Sequence, residues 1–414
     1  MAILSGLLPG SLRNKGIRMK KTLIFLVYLL VLFYLSCSRQ GKKEVFEWRG
    51  VIEYKNGIRV IKNPGEPTFG KLNLNLTLDL SLGSEEDENY LFYRIEDIGV
   101  DDQGNIYVLD AGNHRIQKYG RDGSHLQTIG RKGQGPGEFD TPYGMFVSGQ
   151  GGIYIHDGMR VKVFNSDGSY LRETMLESFT HDISVDRDGN IWGIGRLPSE
   201  KGRTRSVVKL SKTGKLEKII ADFPPPEVAI RSEGGRGVMF FIDHEYVHEL
   251  FCIPINTQST LYAHSSEYSL HCLDMRGETE LIMEKDERPS SISQREKDAI
   301  YEKHSDFEER WPEDVVKDAI RFPPHRPFFS NILADDKGRI YVERVRSILD
   351  RHTEIDFDIF SKDGYYLYQV SLPFSPDLIR NGYMYVIHSE EETEGIRIHR
   401  YAVDNWQDIG ESLR

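Results

Sequence analysis

The chain has 414 residues, 39% of them hydrophobic and 11% aromatic, enough to bury a sizeable core and too apolar for a chain disordered throughout. Its 53 Lys and Arg against 64 Asp and Glu give a formal charge of −11. That balance excludes the basic footprint of a nucleic-acid binder, so no nucleic acid is expected among its partners.

From Met19 the sequence reads MKKTLIFLVYLLVLFYLSCSRQGKK: two lysines, an uncharged apolar run over 22–35, then small Ser36 and Cys37. This is the order of an export signal. A membrane-spanning helix needs about 20 apolar residues, and this run is shorter. Met19 is the better start, with 1–18 an upstream extension. Leu35, Ser36 and Cys37 resemble a bacterial lipobox, although Tyr34 departs from the usual aliphatic residue. The resemblance implies lipidation at Cys37 and a lipid-anchored protein of the cell envelope, periplasmic or at the cell surface. Losing 1–37 removes five basic residues (Arg13, Lys15, Arg18, Lys20 and Lys21) and no acidic one, which leaves a formal charge of −16. Residues 38–44 read as a tether and 45–414 as the folded domain.

The stretch 101–130, DDQGNIYVLDAGNHRIQKYGRDGSHLQTIG, alternates strand-like runs with tight turns at DQGN, AGN and RDG. With IGVDD before it, four antiparallel strands fit in about 35 residues. So small a sheet cannot cover both of its faces alone and must stack on copies of itself. Copies follow at 144–174, at 182–195 with 206–220, at 259–284, at 331–345 with 357–372, and at 379–388 with 396–403. A second-strand aromatic marks each of the six: Tyr107, Tyr154, Trp192, Tyr262, Tyr341 and Tyr385. Six four-stranded units predict an all-β fold, a six-bladed β-propeller. The last copy has no obvious fourth strand. The alternating segment LNLNLTLDLSLG at 72–83 is expected to supply it and close the ring, which leaves no free sheet edge at the seam. The alternative is an independent hairpin of this segment with VIEYKNGIRVIKN. Cys252 and Cys272 fall in the first and third strands of one sheet, about 10 Å apart and beyond disulfide reach, so they are expected to be buried free thiols.

GNIYVLDAGNHRIQKYGRDG and IGRKGQGPGEF resemble the NHL repeat, and 45–406 as a whole resembles the bacterial six-bladed propeller lipoproteins that carry such repeats. Blades one and two match well, while four and six are degenerate. The motif implies the fold and says little about activity, because its recurring residues are turn and core positions.

Loops joining second to third strands share one rim with those joining one blade to the next. The long ones, 131–142, 196–205, 221–246 and 286–326, all fall there, and the other rim has tight turns. Binding residues concentrate on loops held by a rigid scaffold. Within 286–326, Ser293 and Glu296 form a capping-box signal and Pro312, Glu313 and Asp314 a second helix start. A short helical pair is predicted, as a lid or partner contact, or as a packing insert without a ligand.

The same rim gathers Asp110, His156, Asp157, His264, Arg344 and His388 at second-strand ends, with Asn113, Arg115, Arg160, Arg196 and His181 beside them. Together they form the candidate ligand-binding set. Asp110 and Asn113 can equally satisfy their own turn, and Arg115 can make an inter-blade bond. No HExxH, GxSxG or P-loop is present. DRDGN and DDQGN lack the Glu that would complete a calcium loop. No catalytic residue, cofactor or metal is expected.

Three functions remain in competition. The leading one is a lipid-anchored binding or scaffold protein that presents its rim to a protein, peptide or glycan. The alternative is a metal-dependent hydrolase or lyase, lactonase-like or amidating-lyase-like, with its site in the central mouth. That fold analogy is a weak warrant. The third is a structural envelope component without a ligand.

Overall fold

The structure is a computed structural model that describes residues 47–199, 202–224, 229–233, 236–240, 244–305, 313–390, 395–410 and 413. The expected export signal, Cys37 and the tether 38–44 lie outside these.

Six antiparallel four-stranded units form a six-bladed β-propeller. Blade one is Ile95–Val100, Ile106–Asp110, Arg115–Tyr119 and His125–Ile129, and blade two is Pro142–Val147, Ile153–Asp157, Arg160–Phe164 and Tyr170–Met175. Blade three is Thr180–Val185, Ile191–Ser199, Gly202–Leu210 and Leu216–Phe223, and blade four is Leu250–Asn256, Ser259–His264, Ser269–Leu273 and Thr279–Lys285. Blade five is Phe329–Ala334, Ile340–Arg344, Ile355–Phe360 and Tyr366–Leu372. Blade six takes Leu378–Arg380, Tyr383–Glu390 and Gly395–Val403 from the C-terminal end of the chain, and Leu76–Leu82 as its outer strand. That strand runs antiparallel to the third, with Val403 opposite Leu76 and Ile398 opposite Leu82.

Stacking of sheets is visible in the core. Among the described residues six apolar clusters fall one to each pair of neighbouring blades. Tyr107, Leu109 and Ile116 of blade one meet Met145, Ile153, Ile155 and Phe164 of blade two. At the seam Leu82, Tyr385 and Ile398 meet Ile98, Val100, Ile106, Val108 and Tyr119. Each fully buried apolar side chain of this size contributes roughly 1.5–3 kcal/mol, so each face depends on its neighbour.

The second-strand aromatics recur for a local reason as well. Asp101, which follows the first strand of blade one, accepts from the backbone N–H of Gln103 (3.0 Å) and Asn105 (2.9 Å) and from the Tyr107 hydroxyl (3.1 Å). Asp186 does the same with Asp188, Asn190 and the Trp192 indole N–H (2.9, 2.9 and 3.1 Å). Asp335 does so with Lys337, Arg339 and the Tyr341 hydroxyl (2.8, 3.0 and 3.0 Å). The carboxylate closes the turn and ties the turn to the aromatic that fills the blade interface. In DDQGN and DRDGN the aspartate therefore serves its own loop.

Three departures from the sequence reading concern length. The 196–205 stretch is no loop: it prolongs the middle hairpin of blade three, Ser199 pairing with Gly202. Within 221–246 a separate hairpin, Ala229–Glu233 with Arg236–Phe240, stands apart from the blades. VIEYKNGIRVIKN forms its own hairpin, Val51–Lys55 with Ile58–Asn63, around Asn56 and Gly57, both at positive φ (53° and 85°), as the tight Asn-Gly turn requires. Its second strand joins the outer strand of blade four in parallel, making that sheet six-stranded. Cys252 and Cys272 are buried and unpaired, and burial pushes both thiols up to about 12.

Candidate binding rim and central channel

Two helices cross the loop rim, α1 (Gln294–Lys303) and α2 (Glu313–Ala319). The Ser293–Glu296 capping box is present in full. Glu296 also accepts from the Tyr246 hydroxyl (2.7 Å), which lies before blade four, and from Ser347 Oγ (2.6 Å), between the second and third strands of blade five. Burial pushes this carboxyl up, but hydrogen bonds from Ser347, Tyr246 and Ser293 outweigh it and hold the group near a pKa of about 2. Ile300, Val316, Ala319 and Ile320 pack with Tyr246 into a small core of their own. Next to it, at the C-terminal end of α1, is a cleft of about 470 Å³ bordered by His244, Glu249, Lys303, His304 and Pro327.

The sequence-predicted residues divide by what they touch. Asp110 is fully buried and accepts from the backbone N–H of Tyr93 (3.1 Å) and Arg94 (3.2 Å) and from Asn113 Nδ2 (2.7 Å). Arg115 pairs with Asp110 (3.2 Å) and donates to the carbonyls of Glu88 (3.0 Å) and Leu91 (2.6 Å). These three hold the connection between blades six and one. Asp157 does the same for blade two through the Asp140 and Thr141 N–H groups, and forms a buried ion pair with Lys162 at 2.7 Å. Arg160 faces Glu173 at 3.8 Å, with both side chains partly exposed.

Arg344 belongs to a network between blades four and five. It donates to Glu287 (2.8 Å), which also takes Lys285 (2.7 Å); Asp358 takes Lys285 (2.6 Å) and the hydroxyls of Tyr268 (2.6 Å) and Tyr366 (2.5 Å). Burial works against the Arg344 charge, and Asp358 and Glu287 more than reverse it, raising its pKa above the ordinary value. His264 lies stacked on Phe223 (4.6 Å, 3°) and bonds to Ser266 Oγ at 2.7 Å. Burial, then Arg205 and His248, hold its pKa near 4. His388 faces His399 at 4.5 Å in blade six.

Besides Asp110, Asn113 and Arg115, one other group of three among the eleven comes together. His156, His181 and Arg196 share a shelf between blades two and three with Tyr143 and Phe179, which the sequence reading missed. The rings of Tyr143 and Phe179 lie nearly parallel (5.9 Å, 11°). The Arg196 guanidinium sits 5.4 Å from the Phe179 ring centre, a cation–π contact. Tyr143 Oη bonds to His156 Nε2 at 2.8 Å and donates to the Gly158 carbonyl at 2.7 Å. Burial first, then the neighbouring His181, lower the His156 pKa to about 4, so the ring is neutral near pH 7. His181 bonds through Nδ1 to Asp182 (3.0 Å), and among the described residues its buried Nε2 has no hydrogen-bond partner. The shelf brings together two aromatic rings, an exposed cation and two imidazoles.

Inside the ring the first strands enclose a channel of about 930 Å³. Its middle is apolar, with Ile98, Met145, Phe251, Ile253 and Ile332. Carboxylates rather than bases dominate the charged lining: Asp97, Asp102, Asp182, Asp335, Asp336 and Asp377 against Arg380. Asp97, Asp182 and Asp377 lie toward the loop rim. Desolvation chiefly raises Asp97 to a pKa of about 7, against hydrogen bonds from the Met145 and Ile98 N–H groups and helped by Asp182 and Asp377. Among the described residues no group of three or more His, Cys, Asp or Glu is placed to hold a metal ion.

Comparison with known proteins agrees on the architecture. A family described as a 6-bladed beta-propeller, DUF5128, matches residues 82–258, blades one to three and the first strand of four. No curated protein sequence matches the chain. Among solved structures, a Bacteroides fragilis protein described as exported is similar at 12% identity and a TM-score of 0.48, over 83% of this chain and 99% of that one. A DUF4221-family member from Bacteroides vulgatus is similar at 11% and 0.45, over 80% and 97%. An inactive virginiamycin B lyase from Staphylococcus aureus, with quinupristin, is similar at 11% and 0.36, over 86% and 99%. At such scores no activity carries over to this chain.

Proposed function

We propose that this is an exported, lipid-anchored binding protein of a bacterial envelope that uses the loop rim of its propeller to hold a protein, peptide or glycan. The observation that carries the reading is the shelf of Tyr143, His156, Phe179, His181 and Arg196, beside a rim that also bears the two helices. Aromatic faces beside a cation give contact area at low entropic cost and serve recognition. The signal-like N-terminus with Cys37 supports export and lipid attachment. The test is retention of envelope components by the immobilised chain and by a Phe179→Ala/Arg196→Ala variant of equal thermal stability. Retention should fall at least tenfold in the variant, and equal retention would sink the reading.

The alternative, a metal-dependent hydrolase or lyase, rests on the acidic channel mouth of Asp97, Asp182 and Asp377, although among the described residues no three such groups are placed to hold an ion. A stoichiometric, chelator-sensitive divalent ion in the purified protein, lost on Asp97→Asn, would replace the first reading with this one.

A further inference from the structure

The hairpin at the start of the folded domain closes no blade. Blade four already has four strands, and Val51–Lys55 and Ile58–Asn63 are added outside them. The inner of these two strands is built in firmly. Val60, Ile61 and Asn63 are buried; Asn63 donates to the Gly364 carbonyl (2.9 Å) and accepts from the Tyr366 N–H (2.8 Å) and the Trp48 indole (3.1 Å). Arg59 donates to the Tyr365 hydroxyl at 2.7 Å. The outer strand is the reverse. Val51 is 54% exposed, Ile52 40% and Tyr54 72%. Among the described residues no strand pairs with its outer edge. Glu53 and Lys55 charge this short edge in the usual protective way, but Val51, Ile52 and Tyr54 add exposed apolar area beside them that edge protection does not call for, which marks a contact surface.

Charge and chain length say what covers it. Residues 38–63 hold seven basic side chains (Arg39, Lys42, Lys43, Arg49, Lys55, Arg59 and Lys62) against three acidic ones (Glu44, Glu47 and Glu53). From residue 64 onward the chain has twenty more acidic than basic side chains, so the sign reverses at this hairpin. Glu53 is shared between Lys62 (2.8 Å) and Lys55 (3.9 Å), which leaves the hairpin net positive. Cys37 stands eleven positions before Trp48, at most about 40 Å of extended chain. Aliphatic side chains beside a Tyr and flanked by Arg and Lys are the mixture that settles at lipid headgroup level. The centre of a protein–protein contact is instead depleted of charge.

We propose that the Val51–Lys55 hairpin docks on the anionic bilayer surface to which the chain is anchored, turning the outer edge of blade four toward the membrane. The loop rim then opens sideways, along the membrane plane, where a neighbouring envelope component can reach it. This rests on the lipid-anchor reading above, and the test separates the two.

The test is hydroxyl-radical labelling of the mature chain, purified from membranes and reconstituted in phosphatidylglycerol/phosphatidylethanolamine vesicles, against the Cys37→Ser chain in solution. Labelling of Val51, Ile52 and Tyr54 should fall at least fivefold in vesicles, while exposed Leu126, Leu171 and Ile219 on other blades keep theirs. An Ile52→Ser/Tyr54→Ser variant, both positions being exposed, should lose the protection of Val51 and keep its fold. Equal labelling in both states overturns the proposal. So does protection in solution that grows with protein concentration, because a second copy would then cover the strand. If mass spectrometry finds Cys37 without lipid, the anchor reading fails on its own account, and the unlipidated chain decides the hairpin. Sedimentation with anionic but not neutral vesicles supports it, and none with either overturns it.

Discussion

On the turn rim Asp101, Asp186 and Asp335 each finish a strand by folding a carboxylate back on donors no more than six residues away. On the loop rim the comparable work is done at long range: Glu296 reaches Tyr246 and Ser347, each about fifty residues distant, and Arg344 meets Glu287 across a blade boundary. The turn rim adds inter-blade pairs to these local closures, such as Arg380 with Asp102 at 2.6 Å, and the loop rim has its own local set in Asp110, Asn113 and Arg115. The difference is one of extent: the loop rim carries the two helices and their long-range contacts, and leaves Arg196 exposed with Phe179 and His181 half-buried beside it.

The largest effect is expected where a long-range pairing is also buried. Asp358→Ala leaves the Lys285 ammonium enclosed without its closest carboxylate and should cost about 3–5 kcal/mol in urea unfolding. A loss below about 1 kcal/mol would mean that this network is not structural. Next comes the turn rim. Asp186→Ala strands two backbone N–H groups and the Trp192 indole N–H and should cost about 1–3 kcal/mol, whereas Arg160→Ala on the loop rim, with its long and exposed pair, should cost less than about 0.5 kcal/mol. Equal costs would erase the contrast between the rims.

The pH dependence sharpens the comparison further. The Glu296 pKa is depressed from 4.5 to about 2, so its contribution is whole above pH 4.5 and is lost as the pH falls toward 2. Amide protection factors over α1 should therefore fall on acidification before those of blade one, and Glu296→Gln should remove that difference. His156 is depressed from 6.5 to about 4, so its stabilisation is present above pH 6.5 and declines as the pH falls toward 4. Asp97 has the opposite sign. Raised from 3.8 to about 7, it favours the fold below pH 3.8 and ceases to do so as the pH climbs through 7. Asp97→Asn should thus be better tolerated at pH 8 than at pH 5 in thermal melts, the smallest of these effects.

The turn rim was legible because its causes are local. A DG or GN turn with an aromatic two or three positions on announces the strand, the carboxylate and the interface filler together. Ring closure was legible for a related reason, the strict alternation at 72–83. The capping box at Ser293 could be read, but the second use of Glu296 could not, because nothing near it in sequence points to Tyr246 or Ser347. Blade three shows how a length misleads: Arg203, Thr204 and Arg205 look like loop composition, yet their alternation continues a strand. For the candidate set, a polar residue at a strand end says only that it lies on the rim. Asp110, Asn113 and Arg115 are consumed by the connection beside them, and His264 by Phe223. Phe179, two residues before His181, was the available sign of the shelf. The inward Asp97 carried none, because facing the channel depends on which strand is innermost.

The claim on which the rest depends is that the loop rim is the working face. A photo-crosslinking residue at Arg196, on the loop rim, and in a separate strain at Lys337, on the turn rim, tests it in intact cells. The account predicts discrete adducts from position 196 that disappear with Phe179→Ala, and none from 337. Adducts from 337 alone, or the same adducts from both positions, would contradict it.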